Sequence, residues 1–192
     1  MGHVKRIAIF ASGGGSNAEA IICHFKKVAE ADIHLIITNN PNAGVIERAK
    51  KHGISYYVHS HEEADSGHIL QLLQSNAIDF IVLAGYLKKI HPDLIQAYPH
   101  KIVNIHPALL PKFGGKGMYG MHVHRAVVDA GEKKSGATIH YVNEAYDEGA
   151  IIEQHSCAIE KDETPEEVQK KVLELEHRYY PACIEQLIKA IG

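Results

Sequence analysis

A chain of 192 residues is long enough for one domain with a full hydrophobic core and too short for two ordinary ones. Its 20 Lys and Arg against 23 Asp and Glu leave a formal charge of −3, which offers no basic footprint for a nucleic-acid partner. Hydrophobic residues at 45% and charged residues at 22% are ordinary for a globular protein, no apolar run approaches the ~20 residues of a membrane span, and Met1 to Arg6 show no signal-peptide anatomy, so a cytoplasmic protein without a membrane partner is expected.

The elements alternate from the start. Lys5 to Ala11 reads as a strand, followed by a Ser-Gly-Gly-Gly-Ser-Asn loop and a helix through about Ala29. Ile33 to Thr38 reads as a second strand, Asn39 to Asn42 as a turn, and the next helix runs to Lys51 and stops at Gly53. Ile54 to Val58 reads as a strand, and Glu62 to Asn76 as one helix with Ile69, Leu72 and Leu73 on one face. Phe80 to Ala84 is continuously apolar, as a strand covered on both sides should be. A short helix from His91 to Tyr98 has Pro92 near its start, and a fifth strand spans Ile102 to His106. Pro107 to Met121 is a glycine-rich loop, His122 to Ala130 a helix, and Ala137 to Val142 and Ile151 to Ala158 are strands. Thr164-Pro165-Glu166-Glu167 carries a capping box that starts the last helix, with Val168, Val172, Leu175 and Tyr179 on its buried face and Pro181 set to kink or interrupt it. With no repeat, linker or low-complexity tract, residues 1–192 read as a single α/β domain around a mostly parallel twisted sheet with helices on both faces and the last strand antiparallel.

Two segments carry chemistry. Asn104 and His106 lie two apart in a strand, so they project to the same face, and Pro107 holds His106 extended where the strand runs out. An amide and an imidazole together can hold a carbonyl oxygen and move a proton, although a lone N-x-H more often only caps backbone groups. The Ser12 to Ala18 loop joins a strand to a helix, leaving free backbone N–H groups that suit a phosphate, or forms a tight turn that binds nothing. Gly13-x-Gly15-x-x-Ala18 also fits a dinucleotide fingerprint, but the second strand ends Thr38-Asn39-Asn40 with no carboxylate for a ribose, and no P-loop motif occurs. Cys23, Cys157 and Cys183 read as buried free thiols, and His122-Val123-His124 lacks a third ligand nearby, so no metal is expected.

The string N-I-H-P-x-L-L-P, followed by Lys112 and a glycine pair, resembles the signature of the folate-dependent formyltransferases. The likeness extends from S-G-x-G-S-N through L-A-G-Y-L to the Asp147-x-Gly149 loop and Glu176-His177. It implies a Rossmann-like formyltransferase fold and transfer of a formyl group from 10-formyltetrahydrofolate, as co-substrate, to the amine of glycinamide ribonucleotide. By the same resemblance Asn104, His106 and Asp147 would be catalytic, with Asp147 raising the pKa of His106 and helping to keep it protonated. Gly15, Ser16 and Asn17 would hold the substrate phosphate and Glu176 the ribose. Leu87, Lys88, Lys89 and Ile90, with Asn143, Glu144, Ala145, Tyr146 and Asp147, would line the folate pocket, and Leu83 and Ile95 would be its apolar walls or ordinary core. Ala108 replaces the usual Ser of the motif, and Lys116 to Gly120 looks like an insertion in the following loop. Another folate-formyl enzyme, such as a formyltetrahydrofolate hydrolase or a methionyl-tRNA formyltransferase, is the alternative; those usually carry a further domain. A non-enzymatic nucleotide-binding module would have no use for Asn104 with His106. The partners implied are small molecules, and the chain would act as a monomer or homodimer.

Overall fold

The computed structural model describes residues 3–191. Its elements are β1 (Lys5–Phe10), α1 (Ser16–Phe25), β2 (Ala31–Thr38), α2 (Val45–His52), β3 (Ser55–Val58), α3 (His61–Asp65), α4 (His68–Ser75), β4 (Phe80–Leu83), α5 (Pro92–Ala97), β5 (Ile102–His106), α6 (Met121–Asp129), β6 (Lys134–Tyr141), β7 (Ile151–Ala158) and α7 (Pro165–Ala190). They build one seven-stranded sheet in the order β3-β2-β1-β4-β5-β6-β7. The first five strands pair in parallel, while β6 runs antiparallel to β5 and β7 antiparallel to β6.

The central strands are apolar on both sides because helices cover both faces. Ile7, Ile9, Phe80 and Val82 join one core with Ile21 and Ile22 of α1 and Val172 and Ile184 of α7. Their chain neighbours Ala8, Phe10, Ile81 and Leu83 alternate to the other face, against Ile69 and Leu73 of α4 and Leu94 of α5. The chain first builds outward from β1 through β2 to β3, then returns to place β4 on the other side of β1. This reversal opens a crevice at the carboxyl ends of β1, β4 and β5, where open parallel sheets receive ligands.

Several expectations shift. The helix expected over 62–76 is two helices, because Gly67 turns left-handed at φ 74 between Asp65 and His68. Helix α1 stops at Phe25, short of Ala29, and β6 starts at Lys134, three residues before the expected Ala137. Pro181 does not interrupt α7: it is buried inside the helix, which packs along α1, α6 and β6. The buried ridge of α7 also differs, running through Val168, Val172, Glu176, Tyr180, Ile184 and Ile188 in steps of four, with Leu175 and Tyr179 at its half-buried flank. Of the cysteines only Cys183 is buried; Cys157 is half-buried and Cys23 lies on the exposed side of α1, all three free. Among the described residues no helix is long and apolar enough to cross a membrane.

Candidate active site

A cavity of about 570 Å³ fills the crevice, within the range of small-molecule sites. Asn104, His106 and Asp147 line it together with Ser16, Asn17 and Glu176 on one side, and Leu83, Leu87, Lys88, Lys89 and Ile90 on another. Asn143, Ala145 and Tyr146 complete the expected wall, and the Gly115 to Gly120 segment, for which no lining role was expected, adds to it. Three expected residues do not line it. Gly15 lies just behind Ser16 as the N-cap of α1, Glu144 points to solvent, and Ile95 packs against the apolar cluster under α5, which is the ordinary-core reading.

Register and turn chemistry assemble the polar centre. The β5–β6 ladder sets His140 opposite Asn104 and Thr138 opposite His106. Fully buried Thr138 donates its hydroxyl to the Ala108 carbonyl at 2.6 Å and accepts the Leu110 N–H at 3.0 Å, pinning the turn that leaves His106. His140 Nδ1 lies 2.8 Å from the Tyr141 carbonyl, so it carries the ring proton and leaves Nε2 to accept the Asn104 amide at 3.1 Å. Asn104 is thereby held in one orientation. His106 Nδ1 faces Asp147 Oδ2 at 3.4 Å, and its Nε2 donates to the Phe113 carbonyl at 2.7 Å. Asp147 itself accepts the Gly115 N–H at 3.0 Å. Its loop fits because Gly149 presses on β6, where a side chain would be driven into the Tyr141 carbonyl.

The electrostatics correct one expectation. Burial draws the His106 pKa below its ordinary value, and this outweighs the upward pull of Asp147 and of the Phe113 carbonyl; the neighbouring His140 adds a further downward push. The net shift is downward: Asp147 pulls the pKa up as expected but does not lift it above the ordinary value. Burial also works against the charge of Asp147, but His140, His106 and the Gly115 N–H overcome it and keep the carboxylate below its usual range.

On the other side of the cavity no side chain caps the first turn of α1, whose N-cap Gly15 adopts φ 70. The free N–H groups and helix dipole there suit an anion. The domain model that describes the formyl transferases matches residues 5–184. The chain belongs to that family. It is 43% identical over 190 residues to the chloroplastic phosphoribosylglycinamide formyltransferase of Arabidopsis thaliana, covering 92% of this chain and 63% of that one. The chain thus spans less than two thirds of this plant relative. Against the phosphoribosylglycinamide formyltransferase of Bacillus subtilis it is 38% identical, covering 96% of this chain and 95% of the other. The solved phosphoribosylglycinamide formyltransferase of Bacillus halodurans superposes with a TM-score of 0.88 at 42% identity, covering 98% and 97% of the two chains.

In this formyl transferase the deepest acid is Glu176. Burial pushes its pKa up to about 7, although the Asn17 amide donates to it at 2.6 Å. Its stabilising neutral form is fully present below pH 4.5, the ordinary value, and is lost as pH rises through about 7. Glu176→Gln, which keeps an acceptor for Asn17, should therefore remove a penalty of about 3 kcal/mol that the native protein carries above that window. Thermal melts at pH 5 and pH 8 check this: the variant should gain on the native protein only at the higher pH.

Three residues have no site role in the sequence reading: His140, absent from it, His124, weighed there only as half of an incomplete metal pair, and Tyr86, present only within L-A-G-Y-L. All line the cavity or abut it, and burial pushes the His124 pKa down to about 4, with its Nδ1 left without a partner. Among the described residues one group could share a metal ion, Glu19, Cys23 and His52, outside the cavity wall. Lys51 and Arg48 already pair with Glu19, and Lys26 Nζ sits 2.8 Å from His52 Nδ1, so a dication there would meet three cations.

Proposed function

We propose that this formyl transferase moves the formyl group of 10-formyltetrahydrofolate to the amine of phosphoribosylglycinamide, a step of purine synthesis. The observation that carries the reading is the meeting, in one cavity, of Asn104, His106 and Asp147 with an uncapped helix N-terminus beside Asn17 and Glu176. The glycine loop takes the phosphate, Glu176 the ribose hydroxyls, and the segments around Leu87 to Ile90 and Asn143 to Asp147 the folate. Attack of the amine on the formyl carbon forms a new C–N bond and puts negative charge on the formyl oxygen. The Asn104 amide and the Nε2–H of His106, released from Phe113, stabilise that charge. Collapse breaks the bond to N10: once the proton lost by the amine is taken up, the ring is protonated on both nitrogens, and its Nε2 proton passes to N10. Asp147, 3.4 Å from Nδ1, stabilises the positive charge that the ring gains meanwhile. No step calls for a metal. The enzyme acts on small molecules in the cytoplasm, as a monomer or homodimer.

The test supplies 10-formyltetrahydrofolate with and without phosphoribosylglycinamide and follows tetrahydrofolate and the formylated acceptor. Release of tetrahydrofolate should depend on the acceptor and match formylated product one to one. Equal release without acceptor, with formate as product, would make the chain a formyltetrahydrofolate hydrolase.

A further inference from the structure

The glycine loop is held from behind by α2. Val45 N–H donates to the Gly13 carbonyl at 3.1 Å, and Arg48 Nε–H donates to the Gly14 carbonyl at 2.6 Å. In a trans peptide the carbonyl and the following N–H point in opposite directions. Drawing both carbonyls toward α2 therefore turns the N–H groups of Gly14 and Gly15 away from it. Among the described residues neither N–H bonds to another backbone carbonyl, and the loop leads directly into Ser16, which lines the cavity.

Arg48 does not hold this pose alone. Its Nη1 lies 3.3 Å from Glu19 Oε2, on the helix that begins at the loop. The other oxygen of Glu19 is 2.8 Å from Lys51 Nζ and 3.0 Å from His52 Nε2. Lys51 and His52 hold the carboxylate well down, at about 2, with Arg48 adding to them, so it stays charged throughout the working range. The bracket runs from the end of α2 to α1 and back to the loop. The fork of a guanidinium suits it, because one edge can serve the carbonyl while the other meets the carboxylate.

We propose that Arg48 is a positioning residue for the phosphate of the acceptor substrate: through the Gly14 carbonyl it aims the loop's N–H groups, and Glu19 fixes it in that role. The inference rests on the reading of the glycine loop as a phosphate site and adds to it two residues that do not touch the ligand.

The experiment measures, by calorimetric titration of the full chain, the affinity for phosphoribosylglycinamide, for the same acceptor lacking its phosphate, and for a stable folate analogue. Native protein is compared with Arg48→Ala, Arg48→Lys and Glu19→Gln, and thermal melts are recorded for each. Arg48→Ala should weaken the phosphorylated acceptor by about tenfold or more, the scale of one lost charge-assisted hydrogen bond, while the dephosphorylated acceptor and the folate analogue change by less than about twofold. Arg48→Lys, which keeps the charge but not the fork, should fall between, and Glu19→Gln should follow it in direction. A phosphate preference that survives Arg48→Ala overturns the inference alone, as does an equal loss for all three ligands, which would mark a merely structural contact. Equal affinity of the native protein for the two acceptors overturns the phosphate reading of the loop and this inference with it.

Discussion

Truncation of Asn104 or His106 to alanine is expected to lower kcat for formyl transfer by roughly 10²–10³-fold, with little change in the affinity for either substrate. Each side chain sits on the same face of β5 and is held by a second residue, Asn104 by His140 and His106 by Asp147. A donor held in place acts on charge that develops only in the transition state, so its loss should be felt in turnover rather than binding. His106→Ala also removes the group that carries the amine proton, and its loss should be at least as large. Steady-state kinetics with both substrates varied would check this. A variant that kept kcat and only raised KM would reduce these residues to binding contacts.

The second large effect is expected at Gly15. Its backbone is left-handed at φ 70, and a Cβ would fall 2.7 Å from Val45 Cγ2 and 2.8 Å from Val45 Cβ. Gly15→Val combines a strained backbone with a clash against α2, so the loop must move off its brace. The KM for phosphoribosylglycinamide should rise about 10–100-fold while folate affinity stays close to native. Loss of folate binding with normal acceptor affinity would mean that the two half-sites had been exchanged.

Much of this site was legible because its signals are local. Asn104 and His106 share a face through the period of the strand alone, and Pro107 marks the end of that strand. The uncapped turn after β1 is likewise written in consecutive residues, Gly13 to Asn17. What escaped depends on partners distant in the chain. His140 matters because it lies opposite Asn104 in an antiparallel ladder, and no pattern within β6 announces that register. The inward face of α7 escaped because the buried ridge that steps by four from Val168 to Ile188 includes the carboxylate of Glu176, so the apolar pattern pointed to Leu175 and Tyr179 instead. The downward net shift on His106 follows from burial, which the proximity of Asp147 alone could not reveal. Ile95, which the sequence left as either a cavity wall or ordinary core, takes the second place, packed against the core beneath α5.

The central claim is that His106 and Asp147 act as one unit in moving the formyl group, and a double-mutant cycle tests it most directly. kcat/KM is measured for the native protein, His106→Ala, Asp147→Asn and the combined variant, together with the pH–rate profile of Asp147→Asn. Removing the carboxylate strips away an upward pull on the imidazole, so that profile should move toward acid. The combined variant should be little worse than the poorer single one, since a partner whose work is done through the ring has nothing left to act on. Losses that multiply in full, with an unmoved pH profile, would show Asp147 working independently and contradict the account.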